Sequence, residues 1–200
     1  MITLGIIGLS IVLSLFCFSN KEGFDKLTLV PEKMARDNRQ MYRFISHAFI
    51  HGDAAHLIFN VLTLYFFGRE VENGILSPVE YIVFYLLAIV FASLPSYQQN
   101  KNNPNYRAVG ASGAISAVMF VLVLFSPWSV IYIKFIIPVY FIIFACGYLA
   151  YSYYQSKNSD SNIAHDVHLW GGLFGIAYMF IFHPYSLRTF LDQIINAPFM

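Results

Sequence analysis

Charge is the scarcest feature of this sequence. Only 12% of its 200 residues are Asp, Glu, Lys or Arg, whereas about a quarter of an ordinary soluble domain is charged. The formal net charge is +1, and no dense run of basic residues occurs. The low charge argues against a soluble globular protein, and the lack of a basic tract argues against a nucleic-acid partner.

Other absences narrow the functional classes further. The two cysteines, Cys17 and Cys146, both lie inside apolar segments, so neither a disulfide framework nor a redox function is indicated. The zinc-protease pattern H-E-x-x-H does not occur. No internal repeat is evident, which weakens the hypothesis of a transporter built from inverted repeats.

Apolar residues, by contrast, dominate the chain. Hydrophobic residues make up 58% of it, with 20 Phe and 14 Tyr, a composition typical of an integral membrane protein with aromatic anchors. A helix needs about 20 residues to cross the hydrocarbon core. The first apolar stretch lacks a basic leader and a small-residue cleavage site, so we interpret it as a retained helix. Six stretches predict helices, over residues 2–18, 54–68, 79–97, 111–125, 130–154 and 167–182.

These helices are predicted to form one domain over residues 1–200, because no soluble segment flanks them. The fold class that follows is an all-α membrane protein, a bundle of six transmembrane helices. Polar connections precede the second, fourth and sixth helices, at residues 19–53, 98–110 and 155–165. The first ends of these three helices therefore face the same side of the membrane.

Polar residues occur near that side at the start of all three helices. His56 and Asn60 lie one turn apart on one face of the second helix. Ser112 begins the fourth helix, and His168 lies one turn into the sixth. Polar side chains inside a membrane span are costly and usually mark function. We therefore predict that these four side chains lie at a similar depth.

Small residues show how the fourth and sixth helices can approach each other. Gly113 is followed four residues later by Ala117, and Gly171 by Gly175. Such small-xxx-small stripes permit close contact between membrane helices. If the two stripes face each other, the serine hydroxyl of the fourth helix is brought toward the histidine ring of the sixth.

The chemistry predicted for such a cluster is nucleophilic hydrolysis. Ser112 is the candidate nucleophile and His168 the candidate general base, because a serine hydroxyl needs a neighbouring base and histidine titrates near neutral pH. A developing oxyanion would be stabilised by the backbone N–H of Ser112 and by the side chains of His56 and Asn60.

Each of these residues also has a purely structural interpretation. A lone serine at a helix start is more often a cap, as Ser112 would be. His56 alone would be a packing residue, and Asn60 alone an interhelical hydrogen-bonding group. His47 and His51 are interpreted as structural. A metal site formed by these two histidines and His56 is the alternative, but no carboxylate or cysteine completes the set, so we predict no metal.

The motifs resemble those of the rhomboid intramembrane serine proteases. The likeness runs over about residues 42–182 and keeps the order and spacing of the helices. The family's glycine–x–serine–glycine motif stands from Gly110 to Gly113, its histidine with spaced glycines at His168, Gly171 and Gly175, and its histidine–asparagine pair at His56 and Asn60.

This resemblance implies a six-transmembrane-helix rhomboid-like bundle. It implies a catalytic dyad of Ser112 and His168 without a carboxylate partner, with His56 and Asn60 as oxyanion stabilisers beside the Ser112 N–H. It also implies cleavage of the transmembrane segments of other membrane proteins, which would enter laterally past the fifth helix. No cofactor is required by this chemistry.

Structural anchors are also implied by the resemblance. The family's tryptophan–arginine pair in the first connection is matched in part, by Tyr42 and Arg43. Gly68 and Glu72 match its glycine and glutamate at the far end of the second helix. We expect Arg43 and Glu72 to be structural.

One position departs from the family pattern. Four residues after the nucleophile the family often carries an aromatic residue that stacks on the catalytic histidine, and this chain has Ser116 there. The His168 ring must then be oriented by a residue elsewhere in the chain, and Trp170 and Tyr65 are the candidates. No role is assigned to His165 and Asp166, which precede the predicted base.

The sequence thus predicts an intramembrane serine endopeptidase. The alternatives are an inactive rhomboid-like protein that binds transmembrane helices, and a small transporter or metal-handling membrane protein. Partners would be transmembrane substrates and the lipid bilayer, whereas the substrate's identity and the oligomeric state are not set by the sequence. We expect a multi-pass protein of a prokaryotic plasma membrane with its active site toward the outer face, although the positive-inside rule alone favours the opposite orientation.

Overall fold

The computed structural model describes residues 1–133, 136–158 and 165–197, without the side chains of residues 157, 158 and 165. Most of the described chain is helical. Its principal helices are α1 (Ile2–Ser19), α2 (Lys21–Leu27), α3 (Pro31–Arg36), α4 (Arg43–Ser46), α5 (Ala54–Thr63), α6 (Arg69–Gly74), α7 (Pro78–Asn100), α8 (Ser112–Phe125), α9 (Phe141–Asn158), α10 (His165–Phe182) and α11 (Tyr185–Ile195).

The second predicted helix is longer than its apolar stretch. Helix α5 begins at an N-cap, where the Asp53 side chain accepts a hydrogen bond of 2.8 Å from the backbone N–H of His56. It continues through a π-helical segment, Leu64–Gly68, into α6 without leaving helical backbone geometry. A helix N-cap and a continuous run of helical dihedrals therefore define one element over residues 54–74.

Helix α8 lies in the centre of the bundle. All of its residues from Gly113 to Leu124 are buried, and it packs against α7, α9, α10, α11 and the π-helical segment. Its 14 residues span about 21 Å, which is shorter than the roughly 30 Å of a bilayer's hydrocarbon core. A short helix enclosed on all sides can carry a polar residue at its start without exposing it to lipid.

The prediction of a fifth helix over residues 130–154 is wrong in its first part. Two antiparallel strands occupy that region, β1 (Val130–Ile133) and β2 (Ile137–Tyr140), with Ile131 opposite Val139. Helix α9 begins only at Phe141. The stretch is rich in β-branched residues and contains Pro138, which disfavour a helix. A continuous apolar run does not distinguish strand from helix by periodicity.

Helix α11 was not predicted from the sequence. It follows Pro184 and packs against the far end of α8. The indole Nε1 of Trp128 donates to the Gln193 carbonyl at 2.8 Å, and the Gln193 amide donates to the Phe125 carbonyl at 2.6 Å. The apolar spacing of this segment is amphipathic rather than continuous, so a search for long apolar stretches passes over it.

By length and hydropathy, two of the described helices qualify as membrane spans, Ile2–Ser19 and Pro78–Asn100. Ser112–Phe125 and residues 166–182 are apolar but shorter. These features are those of a membrane protein. The arrangement of six membrane-spanning helices stays a prediction.

The long first connection is folded rather than extended. Buried Arg43 donates from one guanidinium nitrogen to the backbone carbonyls of Asp25 and Thr28, both at 2.6 Å. Leu29 exchanges two backbone hydrogen bonds with Ala108, at 3.0 and 3.1 Å. Arg43 thus organises the connection, and the connection in turn is joined to the loop that leads into α8.

Glu72 performs a comparable task at the opposite end of the bundle. Its carboxylate accepts hydrogen bonds from the backbone N–H groups of Ile2 and Thr3, at 2.6 and 2.9 Å, and it contacts the amino group of Met1. These are the N–H groups that a helix start leaves without an internal acceptor. Glu72 therefore fixes the start of α1 to the end of α6, as expected of a structural anchor.

Candidate active site

The turn into α8 depends on Gly110. Its φ is +106°, in the region that favours glycine. Its N–H donates to the His47 carbonyl at 2.8 Å, and a Cβ placed on it would lie 2.6 Å from the His56 Nε2 atom. Glycine is therefore required both by the backbone conformation and by the imidazole ring that packs against it. Ser112 follows as the first residue of α8.

Glycines also bring α8 and α10 into backbone contact. A Cβ on Gly171 would overlap the Gly113 carbonyl oxygen, and a Cβ on Gly175 would overlap the backbone of Ala117. On Gly113 itself a Cβ would lie 2.6 Å from a methyl group of Val167. The two small-residue stripes therefore face each other, and side chains larger than hydrogen would separate the helices.

This contact brings Ser112 and His168 together. The Ser112 Oγ atom lies 2.8 Å from the His168 Nε2 atom, a normal hydrogen-bond distance. The two residues are 56 positions apart in the chain, so the pair exists only through the packing of α10 on α8. A hydroxyl hydrogen-bonded to an imidazole is the arrangement that activates a serine nucleophile.

Tyr148 of α9 completes the surroundings of His168, and sequence reasoning missed it. Its ring stacks on the imidazole, with 5.9 Å between ring centroids and 21° between ring planes. Its hydroxyl lies 2.8 Å from Ser116 Oγ, which in turn donates to the Ser112 carbonyl at 2.9 Å. One aromatic side chain thus contacts the histidine and, through Ser116, the backbone of the serine.

The two aromatic residues expected to contact His168 lie elsewhere. Trp170 is exposed, and Tyr65 packs its ring against Phe66 and Arg69. The sequence carries no signal that singles out Tyr148, because α9 and the hairpin before it contain many aromatic residues. Only the three-dimensional packing of α9 against α8 and α10 identifies it.

His56 and Asn60 lie beside the turn and the serine. The His56 ring packs against Gly110, and it contacts the His51 ring edge to face with 5.0 Å between centroids. The Asn60 amide nitrogen donates to the His56 carbonyl at 2.9 Å. Asn60 also shares a cavity with Ser112. The second helix therefore presents both candidate oxyanion stabilisers on the serine's side.

The cavity in front of Ser112 has a volume of about 640 Å³ and opens between α5, the hairpin and α9. Its size is that of a typical ligand-binding cleft. The lining is largely apolar, with Asn60, Ser112 and the Tyr148 side chain among its polar contributors. Phe59, Phe66, Phe67, Ile115, Met119, Ile131, Tyr132, Ile133 and Phe144 contribute apolar surface.

The histidines before α5 are buried. Burial lowers the pKa of His47 to about 4, against the opposing effect of hydrogen bonds to the backbone. Burial, followed by repulsion from His56, also lowers the pKa of His51 to about 4. Both rings are therefore neutral at pH 7. Within the described part of the chain, no group of three or more His, Cys, Asp or Glu side chains is placed to hold a metal ion.

Asp166, for which the sequence suggested no role, ties α10 to α7. Its carboxylate accepts a short hydrogen bond from the Ser96 hydroxyl. The contact lies two residues before His168 and near the start of α10, where a negative charge is favourable. Asp166 thus helps to fix the part of α10 that carries the histidine.

Comparison with known proteins agrees with the motifs. The sequence profile of the Rhomboid domain family matches residues 38–185. The chain is 27% identical over 146 residues to RHOMBOID-like protein 12, mitochondrial, of Arabidopsis thaliana, a match that covers 66% of this chain and 44% of the relative. It is 26% identical over 166 residues to Rhomboid-related protein 1 of Caenorhabditis elegans, covering 78% of this chain and 44% of the relative.

The chain thus spans less than half the length of these two relatives. Both are eukaryotic and one is named as mitochondrial, so they give no support to the predicted prokaryotic plasma membrane. The family profile covers most of the chain, including the serine and histidine motifs and the helices that carry them. It confirms the resemblance recognised from those motifs: this chain belongs to the rhomboid family.

Proposed function

We propose that this protein is an intramembrane serine endopeptidase that cleaves transmembrane segments of other membrane proteins. The observation that carries the proposal is the 2.8 Å contact between His168 Nε2 and the Oγ atom of Ser112, a residue that lines a large apolar cleft. A serine that served only as a helix cap would bond to backbone N–H groups of its own helix. This serine instead faces an imidazole.

In the proposed reaction His168 acts as the general base. As the Ser112 oxygen bonds to the carbonyl carbon of the scissile peptide, its proton passes to His168 Nε2. The tetrahedral intermediate then collapses, the C–N bond breaks, and His168 gives the proton to the leaving amine. Attack of a water molecule on the acyl-enzyme repeats these steps and releases the second product.

The oxyanion of the intermediate would be stabilised at the start of α8. The first N–H groups of a helix have no acceptor within it and carry the positive end of the helix dipole. The Ser112 N–H is one of them, the Asn60 side chain lines the same cleft as Ser112, and the His56 ring packs against Gly110 in the turn before Ser112. Removal of one such donor typically costs about 10²- to 10³-fold in rate.

Tyr148 is proposed as a positioning residue. Its ring restricts rotation of the His168 imidazole by stacking, and its hydroxyl is held by Ser116. A contact of this kind between aromatic rings is worth about 0.5–1.5 kcal/mol. It would keep Nε2 directed at Ser112 during proton transfer.

The setting is proposed to be a lipid bilayer crossed by α1, the continuous α5–α6 helix, α7, α8, α9 and α10. Five of these six carry large apolar side chains that face outward, and α8 is enclosed. Outward apolar surface of this extent is typical of contact with lipid. Examples from the five helices are Val12, Phe59, Phe91, Ile143 and Ile181.

Substrate would reach Ser112 through the cleft between α5 and α9, whose apolar lining matches a transmembrane segment. The starts of α5, α8 and α10 are proposed to face the outer side of the membrane. A reporter enzyme fused after Met200 tests this orientation. Activity of the reporter only on the outer side would reverse it.

The function is tested with a fluorescent fluorophosphonate that reacts with activated serines, applied to the protein in detergent. We expect labelling of the wild type, and its loss in both Ser112→Ala and His168→Ala. Ser126→Ala, which changes a serine at the other end of α8, is the matched control and should label like the wild type.

Two results would contradict the proposal. Labelling that persists in Ser112→Ala would show that another residue reacts. A folded wild type that is not labelled, under conditions in which the probe labels an established membrane-embedded serine protease, would favour an inactive rhomboid-like protein that binds transmembrane helices. Incubation with model transmembrane substrates then distinguishes cleavage from binding.

A further inference from the structure

A second, much smaller cavity adjoins Asn60 and Ile115, which also line the large cleft. The space available to the centre of a water molecule in it is about 10 Å³, which is close to what one water needs. Its polar lining comes from Ser10, His51 and Asn60. The remaining lining is apolar and comes from Ile7, Val61, Leu64, Ala111 and Ile115.

Two buried polar atoms belong to residues that line this small cavity. His51 Nε2 and Asn60 Oδ1 have no hydrogen-bond partner among the residues that the structure describes. His51 is 0% and Asn60 8% exposed. Buried polar groups in folded proteins are nearly always hydrogen-bonded, to protein or to ordered water. Two such atoms beside one water-sized space therefore point to a ligand that bonds to both.

The orientations of both side chains are fixed by their other bonds. His51 Nδ1 lies 2.9 Å from Ser14 Oγ, which leaves Nε2 as the ring nitrogen without a partner among the described residues. The Asn60 amide nitrogen donates to the His56 carbonyl at 2.9 Å, which identifies the unpartnered atom as the oxygen. The lowered pKa of His51 keeps its ring neutral at pH 7, so either tautomer can bond to water.

We propose that one water molecule occupies this cavity and bridges His51 Nε2 to Asn60 Oδ1. The water donates one hydrogen to the amide oxygen and exchanges a second hydrogen bond with the imidazole. Ser10 also lines the cavity wall, but the water does not need it as a partner, because His51 and Asn60 supply two. Two or three polar partners are what a buried water usually has.

The position of Asn60 gives this water a consequence for the proposed reaction. Asn60 lines both the small cavity and the large cleft that holds Ser112. A water that holds Oδ1 fixes the plane of the amide, and so directs its remaining N–H toward the cleft. The catalytic part of this inference rests on the proposed function, whereas the water site itself does not.

The water site is tested first by an experimental structure of the wild-type protein at a resolution that shows ordered water. We expect one density peak within hydrogen-bonding distance of both His51 Nε2 and Asn60 Oδ1. Absence of that peak at a resolution where other buried waters are seen would overturn the inference. A direct contact between the two side chains would overturn it as well.

Substitutions at Ser10 test the effect on the active site. Ser10→Val adds bulk on the cavity wall and should expel the water, whereas Ser10→Ala adds none and should keep it. We expect Ser10→Val to lower the rate of Ser112 labelling roughly tenfold, less than outright loss of an oxyanion donor. Ser10→Ala should label at the wild-type rate and melt near the wild-type temperature, whereas Ser10→Val, which leaves His51 Nε2 and Asn60 Oδ1 without a partner, should melt somewhat lower.

The outcomes separate the two proposals. If the wild type is not labelled but the water is present, the proposed function fails and the water site stands. If the wild type is labelled and Ser10→Val expels the water without slowing the labelling, the water has no catalytic role. A Ser10→Val protein that melts much lower is replaced by Ser10→Thr, which adds less bulk.

Discussion

Helices α8 and α9 both contribute to the candidate site, yet they are held in opposite ways. Every residue of α8 from Gly113 to Leu124 is buried. In α9 the buried positions among the described side chains are Phe141, Ala145 and Ser152. The proposed nucleophile therefore lies on a helix fixed from all sides, whereas the ring that stacks on the proposed general base comes from a helix with one packed face.

The two helices therefore hold their site residues in place by different interactions. Packing density fixes α8, because a substitution of even one methyl group in a close-packed contact is felt. The contact of α9 with the site depends on a few specific interactions of Tyr148 instead. We expect substitutions at the α8–α10 contact to have large effects on both stability and chemistry. Substitutions at the α9 contact should affect the chemistry alone.

The largest effect is expected from Gly171→Ala. The added methyl group would overlap the Gly113 carbonyl oxygen, so α10 must move away from α8 and carry His168 with it. We expect a loss of about 3 kcal/mol in the free energy of unfolding and about a hundredfold drop in Ser112 labelling, the effect typical of a misplaced catalytic group. Unfolding in mild detergent and labelling rates measure the two quantities.

Gly147→Ala in α9 is the matched control, because a Cβ there has no atom within 4 Å. Replacing glycine by alanine within a helix should raise stability by up to about 1 kcal/mol when space allows it. Equal destabilisation by the two substitutions would mean that α9 is packed as tightly as α10. The expected difference between the two helix contacts would then be wrong.

A smaller effect is expected from Tyr148→Leu. Loss of the stacked ring removes one restraint on the orientation of the His168 imidazole, and we expect Ser112 labelling to slow about tenfold with an almost unchanged melting temperature. Tyr148→Phe keeps the ring and should recover most of the rate. If both variants were equally slow, the hydroxyl rather than the ring would orient the base. If Tyr148→Leu mainly lowered the melting temperature, its role would be structural.

The smallest effect is expected from Ser116→Ala. The substitution removes the hydroxyl that joins Tyr148 to the Ser112 carbonyl. We expect labelling to slow about threefold, as for the loss of one hydrogen bond. Because Tyr148→Phe breaks the same contact, the double variant should be no slower than the slower single variant. If the rate losses of the two single variants multiplied in the double variant, the two hydroxyls would act separately.

The sequence was sufficient to predict that α8 and α10 pack together and which of their residues meet at that contact. Ser112, His168 and the facing glycines stand at fixed spacings within single helices, and helix periodicity converts such spacing into a shared face. Close approach of membrane helices also has a clear sequence signature in small residues. Each of these parts of the site is therefore visible as a local sequence pattern, one within α8 and one within α10.

The role of Tyr148 and the hairpin could not be predicted in the same way. Which aromatic residue of α9 reaches His168 depends on where α9 begins and how it is rotated, and both follow from the strands before it. Those strands are apolar throughout, so they lack the alternation of apolar and polar residues by which a strand is usually predicted. The pairing of His51 with Asn60 around a small cavity likewise arises from packing between separate elements, and no spacing in the chain encodes it.

The 56-residue separation of Ser112 and His168 also has a consequence for biosynthesis. The serine is made first, together with the turn that holds it, and its base arrives only when α10 has been made and packed against α8. Translation at about 5–20 residues per second from Ser112 to the end of α10 at Phe182 makes that interval roughly 4 to 14 seconds. During this time the proposed nucleophile has no base, so under the proposed function a chain that is incompletely made or inserted would not cleave its neighbours in the membrane.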